Sequence, residues 1–204
     1  MKKLNKKKIC IVTGSRADYD ILKNLIVCLN KSKKYQVNLI VTGQHLSKDY
    51  GYTSKIVYND FSKICHFINI NIKKTDSTSI LNSIGLGINK IGKYLQLKKP
   101  NLIILLGDRY EIFSAGIGSI YNDVKIAHIH GGETTEGLID EAVRHSITKM
   151  AHLHFTAAEP YRQRVIQLGE QPEKVFNSGA PGIDSIVRLP LLKREQLSDA
   201  IGFN

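Results

Sequence analysis

The residues best suited to chemistry lie in two short segments that each end a run of apolar residues. The first, 107–111 (GDRYE), follows the apolar run 101–106 and brings an aspartate, an arginine and a glutamate together. An aspartate held directly after a buried strand can act as a general acid or base. Two simpler interpretations stay open: Asp108 caps the next helix, and Arg109 forms an ordinary surface ion pair with Glu111.

The second segment, 128–133 (HIHGGE), places two histidines and a glutamate at the end of the apolar run 124–130. Alternation along a strand puts His128 and His130 on one side, where they could hold a metal ion with Glu133. No further ligand follows at helical spacing, so we expect no metal. Histidine also titrates near neutral pH, which suits acid–base catalysis, and the two glycines let a ligand approach the backbone.

A third segment, 14–16 (GSR), follows the first apolar run, 8–13, and predicts a tight turn into a helix. The start of a helix presents unpaired N–H groups and the positive end of the helix dipole, and both favour an anion. Arg16 could add a charge-assisted contact to a phosphate. The segment is neither a GxGxxG motif nor a P-loop, so a plain turn with a solvated Arg16 stays open.

One predicted helix, 140–150, carries two charged pairs at a spacing of four residues. Asp140 pairs with Arg144 in this pattern, and Glu141 pairs with His145. Residues four apart lie on one helix face and attract each other when their charges are opposite. The four side chains either belong to a site or form a solvated charged face.

Apolar segments of strand length alternate with helical segments along the chain, and the strand runs are continuously apolar. That pattern is typical of a parallel sheet covered on both faces. We therefore predict one doubly wound, Rossmann-like α/β domain over residues 7–188, after a basic tail at 1–6. Residues 189–204 are expected to begin a linker or second domain, with a helix that starts at Lys193 and is cut off. The predicted strands are 8–13, 37–42, 64–68, 101–106, 124–130, 153–156 and 175–177, and the predicted helices are 17–30, 79–97, 111–121, 140–150 and 160–168.

In a doubly wound sheet, ligands bind beyond the carboxyl ends of the strands. This rule brings the three segments described above to one edge of the sheet. It adds His45, which follows the second predicted strand and its closing glycine. We expect the functional site at that edge.

The composition excludes several classes of protein. The chain has 204 residues, of which 42% are hydrophobic, and a formal charge of +11. Its longest apolar runs are far shorter than the ~20 residues of a membrane span. Its lysines lie in the tail and in short pairs rather than in a nucleic-acid-binding pattern, so the positive charge better suits an anionic small molecule. Three cysteines without a CxxC motif predict buried, reduced thiols in a cytoplasmic protein.

Taken together, these segments resemble the hydrolysing UDP-N-acetylglucosamine 2-epimerases of sialic acid synthesis. The resemblance covers residues 8–184 and lies in the stretches VTGSRADYDIL, VTGQHLS, LLGDRYE, AHIHGGETTEGLIDEAVRHSITKMAHLHF and VIQLGE with VFNSGAPGID. It implies the first half of a GT-B type arrangement, in which a second half supplies most of the uridine and diphosphate binding. It also implies a UDP-sugar as the partner, a homo-oligomer for the complete enzyme, and no cofactor.

The reaction implied by the resemblance releases N-acetylmannosamine and UDP by anti elimination of UDP and syn hydration of the resulting glycal. Asp108 matches a catalytic aspartate of the family. Several members carry a carboxylate at the position of His130, so either Glu133 replaces it or His130 acts as the acid or base. Asp140 is the best match for a third acid, with Glu141 as the alternative. The residues implied in substrate binding are Gly14, Ser15, Arg16, Ala17, His45, Arg109, Arg144 and His145.

Three alternatives to this reaction stay open. The HIHGGETTEG stretch is also similar to relatives that act on UDP-diacetamido-trideoxyhexoses in legionaminic acid synthesis. A non-hydrolysing 2-epimerase would retain UDP on its product, although the GSRADY and HGGE stretches favour the hydrolysing branch. The chain could also be an inactive half-enzyme that only binds a nucleotide sugar.

Overall fold

Seven parallel strands form one sheet in the computed structural model, which describes residues 6–72, 76–135, 139–187 and 191–202. They are β1 (Lys7–Thr13), β2 (Tyr35–Val41), β3 (Cys65–Phe67), β4 (Leu102–Leu106), β5 (Lys125–Ile129), β6 (Leu153–Thr156) and β7 (Val175–Asn177). Their order in the sheet is β3-β2-β1-β4-β5-β6-β7. The predicted doubly wound α/β class is confirmed, and every predicted strand is present with small shifts at its ends.

The helices of the described residues cover this sheet. They are α1 (Arg16–Lys31), α2 (Ser54–Phe61), α3 (Ser77–Lys98), α4 (Tyr110–Ile120), α5 (Ile139–Met150), α6 (Glu159–Gln167), α7 (Pro181–Val187) and α8 (Arg194–Ile201). The sequence does not predict α7, because a helix this short has too few positions for an apolar repeat. The helix predicted to be cut off ends instead at Ile201, where Gly202 turns into the left-handed region with a φ of 68°. Gly202 is the usual type of residue for such a cap.

The sheet has a separate apolar core on each face. Along β1, Ile9 and Ile11 join one buried cluster, and the alternating residues Cys10 and Val12 join the other. Two buried faces explain why the strand sequences are continuously apolar rather than alternating. The prediction of a sheet that is covered on both faces therefore follows directly from the strand pattern.

The order of the strands reverses between β1 and β4. β1 pairs with β2 on one side and with β4 on the other. A crevice at such a switch point, beyond the carboxyl ends of the strands, is where doubly wound sheets bind ligands. The loops after β1 and β4, which begin at Gly14 and Gly107, therefore lie at the expected position for a site.

Close packing of α3 against α4 positions the loop after β4. A Cβ atom on Gly118 of α4 would lie 3.3 Å from the Gly92 backbone of α3. The glycines therefore let the two helix backbones approach more closely than side chains would permit. The first turn of α4 contains Glu111.

The structure also bears on the expectations about membrane spans, cysteines and domain boundaries. None of the described helices is long and apolar enough to span a membrane. Cys10 is buried and Cys65 is partly buried, but Cys28 is exposed on α1, so the prediction of three buried thiols is wrong at that position. The tail residues 1–5 and the predicted domain end at 188 lie outside the described residues, and the domain boundaries stay predictions.

A cavity of about 450 Å³ lies on the α1 face of the sheet. Apolar side chains of β1, β4, β5 and β6 line it, together with residues of α1 and α7. None of the predicted site residues contributes to it. The volume therefore reflects an apolar region of the sheet face, and the candidate site lies elsewhere, at the strand ends.

Candidate functional site

The turn after β1 is held by its own side chains. Ser15 caps α1, and its hydroxyl accepts a hydrogen bond from the Asp18 N–H at 3.3 Å. The Asp18 carboxylate in turn accepts a hydrogen bond from the Gly14 N–H at 3.2 Å. The N–H groups of Arg16 and Ala17, in the first turn of the helix, have no intrahelical acceptor, and such groups favour an anion at the helix start. The Arg16 side chain is exposed, and its Nε lies 3.7 Å from Asp20 Oδ2.

Arg109 lies between two carboxylates rather than facing solvent. Its Nε is 2.6 Å from Glu111 Oε1 and 4.0 Å from Asp18 Oδ2. The interpretation as an ordinary surface pair is wrong, because Glu111 is completely buried. Burial raises the pKa of both Asp18 and Glu111, and this effect outweighs the lowering by Arg109. The charge of Arg109 is therefore largely engaged inside the protein.

His45 is completely buried and fixes the loop after β2. Its Nε2 lies 3.0 Å from the Thr13 hydroxyl, and its Nδ1 lies 2.7 Å from the Thr53 hydroxyl. Burial lowers the pKa of His45 to about 4, so the ring is neutral at physiological pH. With both nitrogens engaged, His45 has no atom left for the predicted substrate contact. We correct its role to that of a residue that supports the loop.

Asp108 forms an ion pair with Arg144 from α5, although the two residues are 36 positions apart in the chain. The Arg144 side chain is only 9% exposed and that of Asp108 is 17% exposed, so Arg144 does not lie on a solvated charged face. Arg144 also donates a hydrogen bond to the Thr135 hydroxyl at 3.2 Å. The helix cap after β4 is Arg109 and makes no side-chain cap bond, so the capping role considered for Asp108 is wrong.

The environment of Asp108 suits a group that exchanges protons. Burial raises its pKa, and this effect outweighs the lowering by Arg144. The negative charge of Asp140 raises the pKa of Asp108 further, so Asp140 lies close enough to act on it. A carboxylate with a raised pKa accepts a proton more readily than an ordinary aspartate.

His130 and Glu133 form a second acid–base pair. His130 Nδ1 lies 2.7 Å from Glu133 Oε1, and both side chains are mostly buried. Burial alone would raise the pKa of Glu133, but the hydrogen bond and charge of His130, together with Arg144, lower it. The charge of Arg144 acts on both Glu133 and Asp108 and so links the two pairs electrostatically.

The predicted alternation of His128 and His130 is wrong. β5 ends at Ile129, and His130 has a φ of 65°, so it leaves the strand. His128 is buried, with Nδ1 3.1 Å from the Thr148 hydroxyl and Nε2 2.8 Å from the Gly107 carbonyl oxygen. In the part of the chain that the structure describes, no group of three or more His, Cys, Asp or Glu could hold a metal ion.

Several buried polar atoms at this edge have no hydrogen-bond partner among the described residues. They are His130 Nε2, Arg144 Nε, His145 Nδ1 and Glu111 Oε2. Buried polar groups are nearly always satisfied, so these four atoms are candidates for contacts with a substrate. The position, beyond the carboxyl ends of β1, β4 and β5, agrees with the crevice expected for the fold.

A sequence profile described as UDP-N-acetylglucosamine 2-epimerase matches residues 28–202 of the chain. The chain belongs to the UDP-N-acetylglucosamine 2-epimerase family. The resemblance inferred from its motifs is thereby confirmed.

Relatives within this epimerase family carry names that agree with the motifs. The chain is 43% identical to the polysialic acid biosynthesis protein P7 of Escherichia coli, over 94% of its own length and 49% of the relative. It is 35% identical to a UDP-N,N'-diacetylbacillosamine 2-epimerase (hydrolyzing) of Legionella pneumophila, over 97% of its own length and 52% of the relative. The chain thus spans about half the length of the curated epimerases that it matches.

The fold of this chain is also that of solved structures. A UDP-GlcNAc 2-epimerase from Neisseria meningitidis, solved with UDP-GlcNAc bound, superimposes with a TM-score of 0.80 at 22% identity. The match covers 97% of this chain and 54% of that one. The sheet therefore corresponds to the N-terminal half of a GT-B-like epimerase, as the sequence predicted.

The structure brings some of the predicted site residues together and leaves others apart. Asp108, Arg144, His130 and Glu133 form one connected group, and Asp140 acts on it through its charge. His145 pairs with Glu141 at 3.4 Å, as the spacing of four predicted. The predicted pair of Asp140 with Arg144 is replaced by the pair of Asp108 with Arg144.

Sequence reasoning assigned no role in the site to three residues of this edge: Asp18, Glu111 and Thr135. Glu111 was visible in the GDRYE segment, but nothing in the spacing shows that the first turn of α4 is completely buried. Asp18 and Thr135 have no local pattern at all. Their contacts, with Gly14 and Arg144, depend on how the loops close.

Proposed function

We propose that the protein containing this chain is a hydrolysing UDP-N-acetylglucosamine 2-epimerase, which releases N-acetylmannosamine and UDP. The observation that carries the proposal is the joining of two acid–base pairs, Asp108 with Arg144 and His130 with Glu133, beside unsatisfied buried atoms. The reaction needs separate proton-accepting and proton-donating groups next to an anion site. The GSRADY and HGGE stretches support the hydrolysing branch.

The first step of the proposed reaction eliminates UDP across C1 and C2 of the sugar. The C1–O bond breaks with its electron pair leaving on UDP, a base removes the C2 proton, and a C1–C2 double bond forms. The C2 proton is not acidic, so the C1–O bond must break early and positive charge develops at C1, as in glycoside hydrolysis. Asp108 is the proposed base, because its raised pKa suits proton uptake and Arg144 orients it.

The second step adds water across the double bond. The oxygen of water bonds to C1, and a proton returns to C2 on the face that inverts the configuration. His130 and Glu133 are proposed to handle the water and proton, because His130 Nε2 is buried with no partner among the described residues while Nδ1 is held by Glu133. The histidine thus fills the role that a carboxylate has in several members of the family. Asp140 adds negative charge that stabilises the cation at C1.

The leaving diphosphate needs positive charge and N–H donors. We propose that the exposed Arg16 side chain and the backbone N–H groups of Arg16 and Ala17, at the start of α1, supply them. Arg109 is less suited to this role than the sequence indicated, because Glu111 and Asp18 already engage its charge. UDP leaves as a stable anion, so this scheme needs no metal ion.

A second candidate substrate is a UDP-2,4-diacetamido-trideoxyhexose. The observation that favours it is the 35% identity to the Legionella pneumophila diacetylbacillosamine 2-epimerase over nearly all of this chain. The chemistry at C1 and C2 is the same for both sugars. They differ at C4 and C6, where none of the catalytic groups described above is needed.

The proposal predicts the fate of isotopes during turnover. The complete gene product, incubated with UDP-N-acetylglucosamine in D₂O enriched in H₂¹⁸O, should yield UDP and free N-acetylmannosamine with deuterium at C2 and ¹⁸O at C1. The diacetamido sugar is tested in parallel. An epimerised product that keeps UDP would indicate the non-hydrolysing reaction. Absence of UDP release from both substrates, with binding intact, would indicate an inactive nucleotide-sugar-binding protein and contradict the proposal.

Replacing His130 by glutamine is predicted to change the pH dependence of turnover. His130 helps to hold the pKa of Glu133 below its ordinary value, so without the imidazole that pKa rises. The acidic limb of the kcat profile should then move to higher pH, and kcat should fall about 10²-fold as expected for loss of one acid–base group. The exposed His152, replaced by glutamine, is the control and should leave the profile unchanged. An unmoved acidic limb in the His130 variant would exclude the pair from proton transfer.

A further inference from the structure

Glu111 is a completely buried carboxylate that the scheme above does not use. Its Oε1 accepts a hydrogen bond from Arg109 Nε at 2.6 Å, and its Oε2 has no hydrogen-bond partner among the described residues. Glutamate is almost never fully buried unless it is paired, and an incompletely satisfied carboxylate is costly to retain. An apolar residue would stabilise this position better, so a role beyond packing is indicated.

Two glycines make room for this carboxylate. A Cβ atom on Gly14 would lie 2.3 Å from Glu111 Oε1, and one on Gly43 would lie 2.7 Å from it. Gly43 is also required by its φ of 63°, whereas Gly14 does not have a positive φ. Gly14 is therefore required only because any side chain at this position would collide with the Glu111 carboxylate.

The contacts of Glu111 connect three loops of the site. Through Arg109 it belongs to the loop after β4, and Arg109 faces Asp18, which holds the Gly14 N–H. The Gly14 carbonyl oxygen accepts a hydrogen bond from the His45 N–H at 3.3 Å, which adds the loop after β2. The Glu111 carboxylate is thus connected, through Arg109 and Asp18, to the turn that begins α1.

We propose that Glu111 is a positioning residue, which anchors Arg109 and through it holds the turn at residues 14–17 in the shape that binds the leaving diphosphate. This inference rests on the proposed function for the identity of the anion, but the anchoring of Arg109 does not. Glu111 does not touch the sugar in this scheme. Its removal should therefore affect diphosphate binding without moving the pH limbs that report proton transfer.

The first test compares Glu111→Gln with the wild type in the complete gene product. Glutamine keeps the shape but loses the charge, so Arg109 is freed and the turn shifts. We expect kcat/KM for the UDP-sugar to fall about 10²-fold, mainly through a higher KM, because small misplacements of a binding group have effects of this size. A merely structural role would lower the folded fraction and leave KM of the folded enzyme unchanged, and that result would overturn the proposal.

A double-mutant cycle tests the close contact between Gly14 and the Glu111 carboxylate. Gly14→Ala alone should push the carboxylate away and reproduce most of the loss in kcat/KM. In a Glu111→Ala background the same methyl group enters vacated space, so it should add little further loss. Residues in contact give such non-additive effects, and independent ones do not. Fully additive losses would therefore contradict the proposed contact and its function.

A third measurement does not depend on activity. In protein labelled with ¹⁵N-arginine, the Arg109 Nε–H proton should exchange slowly in the wild type and rapidly in Glu111→Gln. Glu159→Gln, which removes an exposed carboxylate 3.2 Å from Arg162, is the matched control and should leave that proton unchanged. If the wild type releases no UDP, the proposed function fails, while slow exchange still supports the anchoring. Rapid exchange in the wild type would refute the anchoring itself.

Discussion

Replacing Asp108 by asparagine is expected to reduce kcat about 10³- to 10⁴-fold while leaving the protein folded. Asparagine has nearly the same shape and retains an oxygen that can accept a hydrogen bond from Arg144. It cannot take up a proton, and loss of a general base of this kind has effects of up to about 10⁴-fold. The measurement is UDP release by the complete gene product under saturating UDP-sugar. KM should change little, because the missing interaction is one made during the chemical step.

The control for this variant is Asp123→Asn. Asp123 is exposed in the turn after α4, and its φ of 54° suits asparagine as well as aspartate. We expect wild-type turnover from it. The Asp108 variant should also unfold at a free energy within about 2 kcal/mol of the wild type, because one hydrogen bond to a charged group is weakened. Turnover above about a tenth of wild type in this variant would remove Asp108 from the proposed mechanism.

The fold follows from the sequence because its signals are local. The strands are short runs in which apolar residues dominate, and glycine comes directly after β1 and β4, so the alternation with helices already indicates a doubly wound sheet. The edge of the sheet that holds the candidate site also follows from the sequence, because doubly wound sheets bind ligands beyond the carboxyl ends of their strands. α7 escapes prediction because its seven residues are too few for a helical repeat.

The pairing inside the site does not follow from local spacing. Asp140 and Arg144 are four residues apart, yet Arg144 binds Asp108 from another strand end, because a half-buried carboxylate attracts a cation more strongly than one on a helix surface does. His128 and His130 obey strand alternation only as far as the strand continues, and the φ of 65° at His130 ends it. Glu111 is indistinguishable in sequence from a surface glutamate until the glycines that enclose it are known.

The second large effect is expected from replacing Arg144 by methionine. Methionine keeps much of the apolar contact of the arginine stem but leaves the Asp108 carboxylate without its cation. We expect kcat/KM to fall about 10³-fold, because Asp108 loses both its orientation and its electrostatic partner. The protein should also lose about 3 kcal/mol of unfolding free energy at neutral pH. This is at the low end of the range for breaking a buried ion pair, since Asp108 retains partial exposure.

The pH dependence of stability distinguishes this variant from one that is merely poorly packed. Burial already raises the pKa of Asp108, and removing the lowering by Arg144 raises it further. A carboxyl whose pKa is higher in the folded than in the unfolded protein stabilises the fold below its ordinary pKa, and that stabilisation is lost as pH rises through the higher value. The free energy of unfolding of Arg144→Met should therefore fall more steeply with rising pH, above about pH 4, than that of the wild type.

Two further variants make the test of Arg144 decisive. In an Asp108→Asn background the Asp108 carboxylate no longer titrates, so Arg144→Met should lose the part of its pH dependence and destabilisation that Asp108 causes, while the smaller part that acts through Glu133 remains. Arg194→Met, on the exposed surface of α8, should match the wild type in stability and turnover at every pH. If Arg144→Met is equally destabilised at all pH values, or if Asp108→Asn does not relieve it, the ion pair is not what holds Asp108 in its reactive state. The acid–base assignment would then have to pass to His130 and Glu133, the other pair on which the charge of Arg144 acts.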